Sequence, residues 1–137
     1  MSVEKNRENA RRAVEEGFAD PSNAADLFAP EYQYHTNQMD FQGPQGFATY
    51  AKSYRTAFPD MKIKITHLFA EGDMVATFVN WTGTFTGELM GTQPTGRKFD
   101  MDACILTRHR EDGKQVEAIP FVDTANLYQQ LGVPVPA

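Results

Sequence analysis

The sequence predicts an α+β fold in which helices gather on one face of a sheet. Two observations carry this. Apolar residues recur at helical spacing up to about residue 60 and alternate with polar ones beyond it, and an Asp112-Gly113 pair stands between two strand-like runs. Helices first and strands after give segregated layers, and Asp-Gly between such runs is a strong hairpin signal. The 137 residues suit one domain spanning 1–137.

Residues 3–18 predict a helix, because Ala10, Ala13, Val14 and Phe18 share a face and charges fill the other. Asp20-Pro21 is a helix start, and a short helix carries Ala24 to Phe28 before Pro30 ends it. Tyr32 to Thr36 alternates as a strand, so Tyr34 and His35 point to opposite faces and only one looks inward. Gly43-Pro44 opens a third helix with Phe47, Tyr50, Ala51, Tyr54, Ala57 and Phe58 on one stripe, and Pro59 closes it. Then the period changes. Met61, Ile63 and Ile65 alternate with lysines, and His67 continues their phase as a packed strand-end histidine. After a turn at Glu71-Gly72-Asp73, Val75, Thr77, Val79 and Trp81 mark the next strand; Phe99, Met101, Ala103 and Ile105 mark another; Lys114–Val122 completes an antiparallel meander.

A curved sheet covered by about three N-terminal helices leaves a cone-shaped pocket, which needs roughly 300 Å³ to hold a small molecule. Phe78 and Cys104 are out of phase with their inward-facing neighbours. Helices can cover only one face, so apolar groups on the other predict a two-fold homodimer packed sheet against sheet.

A formal charge of −5 and a pI near 5.1 argue against nucleic acid, whose phosphates need a basic surface. No apolar run approaches the roughly 18 residues that would cross a bilayer, and the first residues carry no apolar leader segment, so no membrane role and a cytoplasmic location are expected. Cys104 is the single cysteine, which excludes an internal disulfide and reads as a packed small hydrophobe. Gly91 to Lys98 imitates a phosphate loop, but Arg97 and Lys98 stand at the Lys and Ser/Thr positions and no helix follows. His35, His67 and His109 show no metal-ligand spacing, and none of the three serines sits in a nucleophile-like turn.

The strongest candidate for chemistry is Asp123, the first charge after Glu117 at the end of the apolar run Val116–Val122. A carboxylate there can face a nonpolar cavity, where desolvation favours its protonated form. It also precedes a short helical run, so the competing role is an N-cap. His109 shares a phase with Phe99, Met101, Ala103, Ile105 and Thr107, which aims it at the apolar face or leaves it half in solvent beside the turn. Trp81 and Phe78 read as wall and core.

Four motifs together resemble the SnoaL-like polyketide cyclases, within the wider NTF2-like fold. They are Ala57-Phe58-Pro59-Asp60, Glu71-Gly72-Asp73, Gly91-Thr92-Gln93-Pro94-Thr95-Gly96-Arg97, and Asp112-Gly113-Lys114 followed by Asp123 and Gln130-Leu131-Gly132. The resemblance spans roughly residues 5–132. It implies an NTF2-like cone and an enzyme without cofactor or metal. It implies Asp123 as general acid–base in an intramolecular aldol condensation, with His109 assisting. The substrate implied is a small apolar or aromatic carbonyl compound, held by His35, Tyr54, Trp81, Phe85, Met101, Ile119 and Phe121. Phe85 stands where many relatives carry a histidine and Ala118-Ile119 where many carry His-Trp, which makes this pocket less polar. Isomerisation or dehydration would need the same groups. A binding module without chemistry, or a scaffold whose cone is plugged by its own side chains, are the other readings of these residues.

Overall fold

The computed structural model describes residues 2–35 and 40–134. Helix α1 (Val3–Arg12) starts where the Ser2 hydroxyl accepts the Lys5 amide proton, and runs into a π-helical turn at Ala13–Gly17. A 3₁₀ turn (Pro21–Asn23) leads into α2 (Ala24–Leu27). The strand β1 (Phe28–His35) begins earlier than alternation alone suggests and takes in Pro30; Thr36, expected to end it, lies outside the described residues. A short β2 (Asp40–Gln42) precedes α3 (Gly43–Ala57), which has Pro44 in its first turn. The strands β3 (Lys62–Glu71), β4 (Met74–Thr84), β5 (Lys98–His109) and β6 (Gln115–Phe121) follow, and α4 (Thr124–Leu131) completes the order.

These six strands form one sheet in the order β2-β1-β6-β5-β4-β3. The meander β3 to β6 is antiparallel as expected, but β1 lies parallel to β6. The sheet is therefore mixed, and its first strand returns beside its last. The helices cover one face, where the expected stripes are buried: Ala10, Ala13 and Val14 before the first turn, and Phe47, Ala51, Ala57 and Phe58 on and after α3. Two core clusters result, one around Phe28, Tyr32, Tyr34 and Phe47, the other around Phe58, Phe85, Phe99, Leu127 and Leu131. Buried Asn6 and Asn9 pin α1 in place, donating to the carbonyls of Gly72 (3.2 Å) and Leu27 (3.0 Å). Among the described residues no helix is long and apolar enough to cross a membrane.

Two bulges alter which side chains face inward. Ile65 pairs with Val79 but His67 with Phe78, so Thr66 is an extra residue. An unpaired residue shifts the alternation by one. His67 is thereby turned to the outer face, exposed and edge-on to Phe78, instead of packed inside with Ile63 and Ile65. Likewise His109 pairs with Gln115 but Arg108 with Glu117, leaving Val116 as the bulge in β6. Counting inward from Gln115 by twos gives Ile119 and Phe121. After the bulge the inward set is Ala118, Pro120 and Val122.

The outer face carries two apolar rows across the meander. One row is His67, Phe78, Cys104 and Phe121; the next is Phe69, Ala76, Leu106 and Ile119. Phe69, Phe78 and Phe121 are 61%, 39% and 58% exposed. Polar groups bound the rows: Asn80 donates to Asp100 and Asp102 on one side, and Arg108 pairs with Asp73 and Glu117 on the other.

Candidate functional site

Between the two core clusters lies a cavity of about 50 Å³. Tyr50 and Tyr54, one turn apart on α3, form its helical wall. Val79 and Trp81 of β4, Ala103 and Ile105 of β5, and Pro120 with Val122 after the β6 bulge form its floor. A second space of about 20 Å³ is lined by Tyr32, Thr77, Thr107 and Ala118 among others, and Phe18, Tyr34 and Ile105 border both. These volumes fall well short of the expected 300 Å³. The cone is filled by its own aromatic side chains: Tyr34 and Tyr50 ring centroids lie 4.9 Å apart, Tyr50 and Tyr54 4.8 Å, and Tyr54 and Trp81 5.6 Å.

The polar atoms of this cavity are few and distinctive. The Tyr34, Tyr50 and Tyr54 rings pack in series along its helical side and bring their phenols to it. Burial pushes all three phenols above their ordinary range, so each keeps its proton. The Trp81 indole Nε1 is buried and has no hydrogen-bond partner. No lining residue of this cavity is charged.

Larger concavities lie on the surface. An open groove of about 800 Å³ runs between α2 and α3, past Ala24, Ala25, Pro44, Ala48, Lys52 and Arg55. A depression of about 450 Å³ lies over Asp60, Lys62, Lys98, Asp100 and Gln130. Neither contains a residue expected from the sequence to act in catalysis or hold a substrate, and neither is lined by a buried polar side chain. Among the described residues no three His, Cys, Asp or Glu side chains gather as a metal-ligand set.

Of the residues expected to make the site, Tyr54 and Trp81 line the cavity. Asp123 stands one residue beyond its Val122 wall; it is exposed, not desolvated, and its Oδ1 accepts the Asn126 amide proton at 3.0 Å, capping α4. His109 faces the helices as alternation required, yet at the far end of β5, 2% exposed and outside the cavity. Its Nδ1 lies 2.8 Å from the Gly113 carbonyl, which can only accept, so that nitrogen carries the proton. The Nε2 then accepts from the Thr107 hydroxyl, also at 2.8 Å. Desolvation pushes the imidazolium pKa down, against weaker opposing effects of the Gly113 bond and Asp73. His109 is thus a neutral tie across the β5–β6 turn with neither nitrogen open to a ligand.

Phe85 and Met101 are buried in the second core cluster, away from the cavity. His35 faces outward, where its Nε2 meets Glu117 at 3.2 Å, and Tyr34, 4% exposed, is the residue of that pair that looks inward. Ile119 and Phe121 lie on the outer face because of the Val116 bulge. Tyr50, on the helical stripe expected to wall the cavity, does line it, whereas Tyr34 and Phe18 line it without having been expected as site residues. The spacing of Tyr50 and Tyr54, four residues apart on one helix stripe, was the available signal.

The model of one protein family, the SnoaL-like polyketide cyclases, matches residues 8–131. No curated protein sequence matches the chain. Solved structures do. A candidate SnoaL-like polyketide cyclase from Jannaschia sp. CCS1 superposes with a TM-score of 0.86 at 21% identity, over 96% of this chain and 94% of that one. AclR, a candidate hydroxylase from Streptomyces galilaeus, gives 0.80 at 24% identity, over 96% and 83%. IdmH, a candidate polyketide cyclase from Streptomyces antibioticus, gives 0.76 at 27% identity, over 93% and 99%.

Proposed function

Because this chain belongs to the SnoaL-like polyketide cyclase family, we propose that it is a cytoplasmic enzyme that performs acid–base chemistry, without a cofactor, on a small apolar carbonyl compound. The observation that carries the reading is the junction at Val122-Asp123: an aromatic, uncharged cavity ends where a carboxylate begins. Asp123 Oδ1 is engaged in capping, and a carboxylate retains further lone pairs for a substrate proton. In the proposed reaction Asp123 removes a proton from a carbon flanked by carbonyls. The resulting enolate attacks a second carbonyl of the same molecule, a carbon–carbon bond closes the ring, and Asp123 returns the proton to the new alkoxide. Positioned proton transfer of this kind contributes about 10²–10⁴-fold. Isomerisation or dehydration would use the same carboxylate. His109, tied into its hairpin, takes no part.

The test is Asp123→Asn. Asparagine is also a good N-cap, so the fold should keep its stability. Turnover should vanish while ligand affinity survives, the pattern of an interaction made only in the transition state. Unchanged turnover in the folded variant would remove Asp123 from the reaction. The exposure of Asp123 favours a second reading, in which the cavity holds an aromatic ligand without chemistry. In either reading we propose a homodimer through the outer face, since two apolar rows bounded by polar groups suit a self-complementary interface.

A further inference from the structure

We infer that the core binds one water molecule between the Tyr32 and Thr77 hydroxyls, a fixed hydration site that ties β1 to β4 across the concave face of the sheet. The site is separate from the groups proposed for turnover. Its basis is a pair of polar side chains to which the protein itself gives nothing. Tyr32 and Thr77 are 0% and 1% exposed, and among the described residues neither hydroxyl has a hydrogen-bond partner. Buried polar groups are normally satisfied, and an exception calls for a reason such as an ordered water.

Neither hydroxyl can escape by turning. The Tyr32 ring is held by Phe28, Tyr34 and Phe47, whose ring centroids lie 4.5, 6.3 and 6.4 Å away. Thr77 is β-branched and stiff about its first side-chain bond. Its strand partners, Leu68 on β3 and Ile105 on β5, offer no side-chain donor or acceptor.

Yet the two residues line one space, of about 20 Å³. In the sheet β1 and β4 are separated by β6 and β5, so no ladder bond joins them and the curl of the sheet alone brings these side chains together. A water molecule needs about 10–15 Å³ and a few polar partners, which this space supplies for one. Each hydroxyl can donate and accept, so a single water can donate to one and accept from the other. Thr107 and Gln115, both buried, add polar atoms to the same lining.

The other occupants fail on charge or on size. Among the described residues no charged side chain lines the space, so an ion would be stripped of water with no counter-charge. An organic ligand needs roughly 300 Å³. Water is what remains.

A wild-type crystal structure that resolves ordered water should show one molecule within about 3.2 Å of both Tyr32 Oη and Thr77 Oγ1. Tyr32→Phe and Thr77→Val each delete a hydroxyl and keep the shape, so denaturant titrations separate a hydrated site from a dry one. With the bridge present, either substitution should raise the unfolding equilibrium constant about fivefold, the net share of one hydrogen bond. The double variant should fall clearly short of the product of the two, because both changes break the same bridge. In a dry site each change would remove an unsatisfied buried group, and stability would rise in independent steps. Circular dichroism establishes that the variants are folded; if one is not, the wild-type crystal structure decides alone. No water between the two hydroxyls, a direct bond from Tyr32 to Thr77, single variants that lose no stability, or effects that multiply independently would each overturn the inference. None of these measurements reads turnover, so this site and the Asp123 mechanism fail separately.

Discussion

Replacing His109 with alanine should destabilise the protein without touching the cavity. The imidazole makes two bonds of 2.8 Å, and its removal strands the Gly113 carbonyl, while the Thr107 hydroxyl can turn to the Val75 carbonyl 3.3 Å away. A buried group left unsatisfied costs about 1–3 kcal/mol, and the void adds to that, so a total of about 3–5 kcal/mol is expected. Such a loss is a large share of the roughly 5–15 kcal/mol available to a domain. The loss should also depend on pH. Burial holds the folded pKa of His109 below its ordinary 6.5. Between those two values the unfolded chain binds more protons than the folded one, so stability rises with pH. The contribution is fully present above about pH 6.5 and fades as pH falls through the folded pKa, by at most about 1.4 kcal/mol per unit. Denaturant titrations followed by Trp81 fluorescence at pH 5.5 and 7.5 should show a wider gap between wild type and His109→Ala at the higher pH. The other two histidines are common to both proteins and cancel in the difference. A folded variant of wild-type stability that has lost turnover, or a gap independent of pH, would refute the structural role and return His109 to catalysis.

Other outcomes are equally checkable. Light scattering of the wild type should report a dimer at micromolar concentration, and Phe78→Lys with Phe121→Lys should yield a folded monomer; a wild-type monomer would end the interface proposal. Gly87→Ala should cost about 1–3 kcal/mol by overpacking, because a Cβ there would sit 1.9 Å from the Thr56 carbonyl oxygen, a backbone atom. Thermal melts would show it, and a neutral substitution would mean that the bond from Gly87 N–H to the Ala57 carbonyl is not needed to hold that loop against α3.

Much of the fold was legible because its signals are local. The change of period near residue 60, the proline in the first turn of α3 and the Asp112-Gly113 turn each act within a few residues. What escaped is set by distant pairing. Nothing near Phe28 says that β1 will run parallel to β6, and nothing near Thr66 or Val116 announces that its strand partner will skip it. Each skipped residue reverses the facing of those beyond it, which turns His67 outward against its expected phase and leaves Ile119 and Phe121, which the resemblance put in the pocket, on the outer face. The candidate site suffered most, since motif matching located Asp123 and His109 in sequence but not the bonds they make. The N-cap expected of Asp123 is present. The polar heart of the cavity comes from tyrosines whose ordinary role as core aromatics hid them.

The π-helical turn at Ala13–Gly17 gives this chain a lever of another kind. Such a turn holds one residue more than an α-helix of the same length needs. Deleting a single residue there would restore the regular helix and leave Phe18 facing nearly as it does now relative to α1, which the bonds from Asn6 and Asn9 keep at its post. Phe18 is part of the wall between the two internal spaces. A one-codon deletion in this turn is therefore a change of chain length that the interior absorbs with its lining side chains in place, so the first helix can lose a residue without altering the wall between the two spaces.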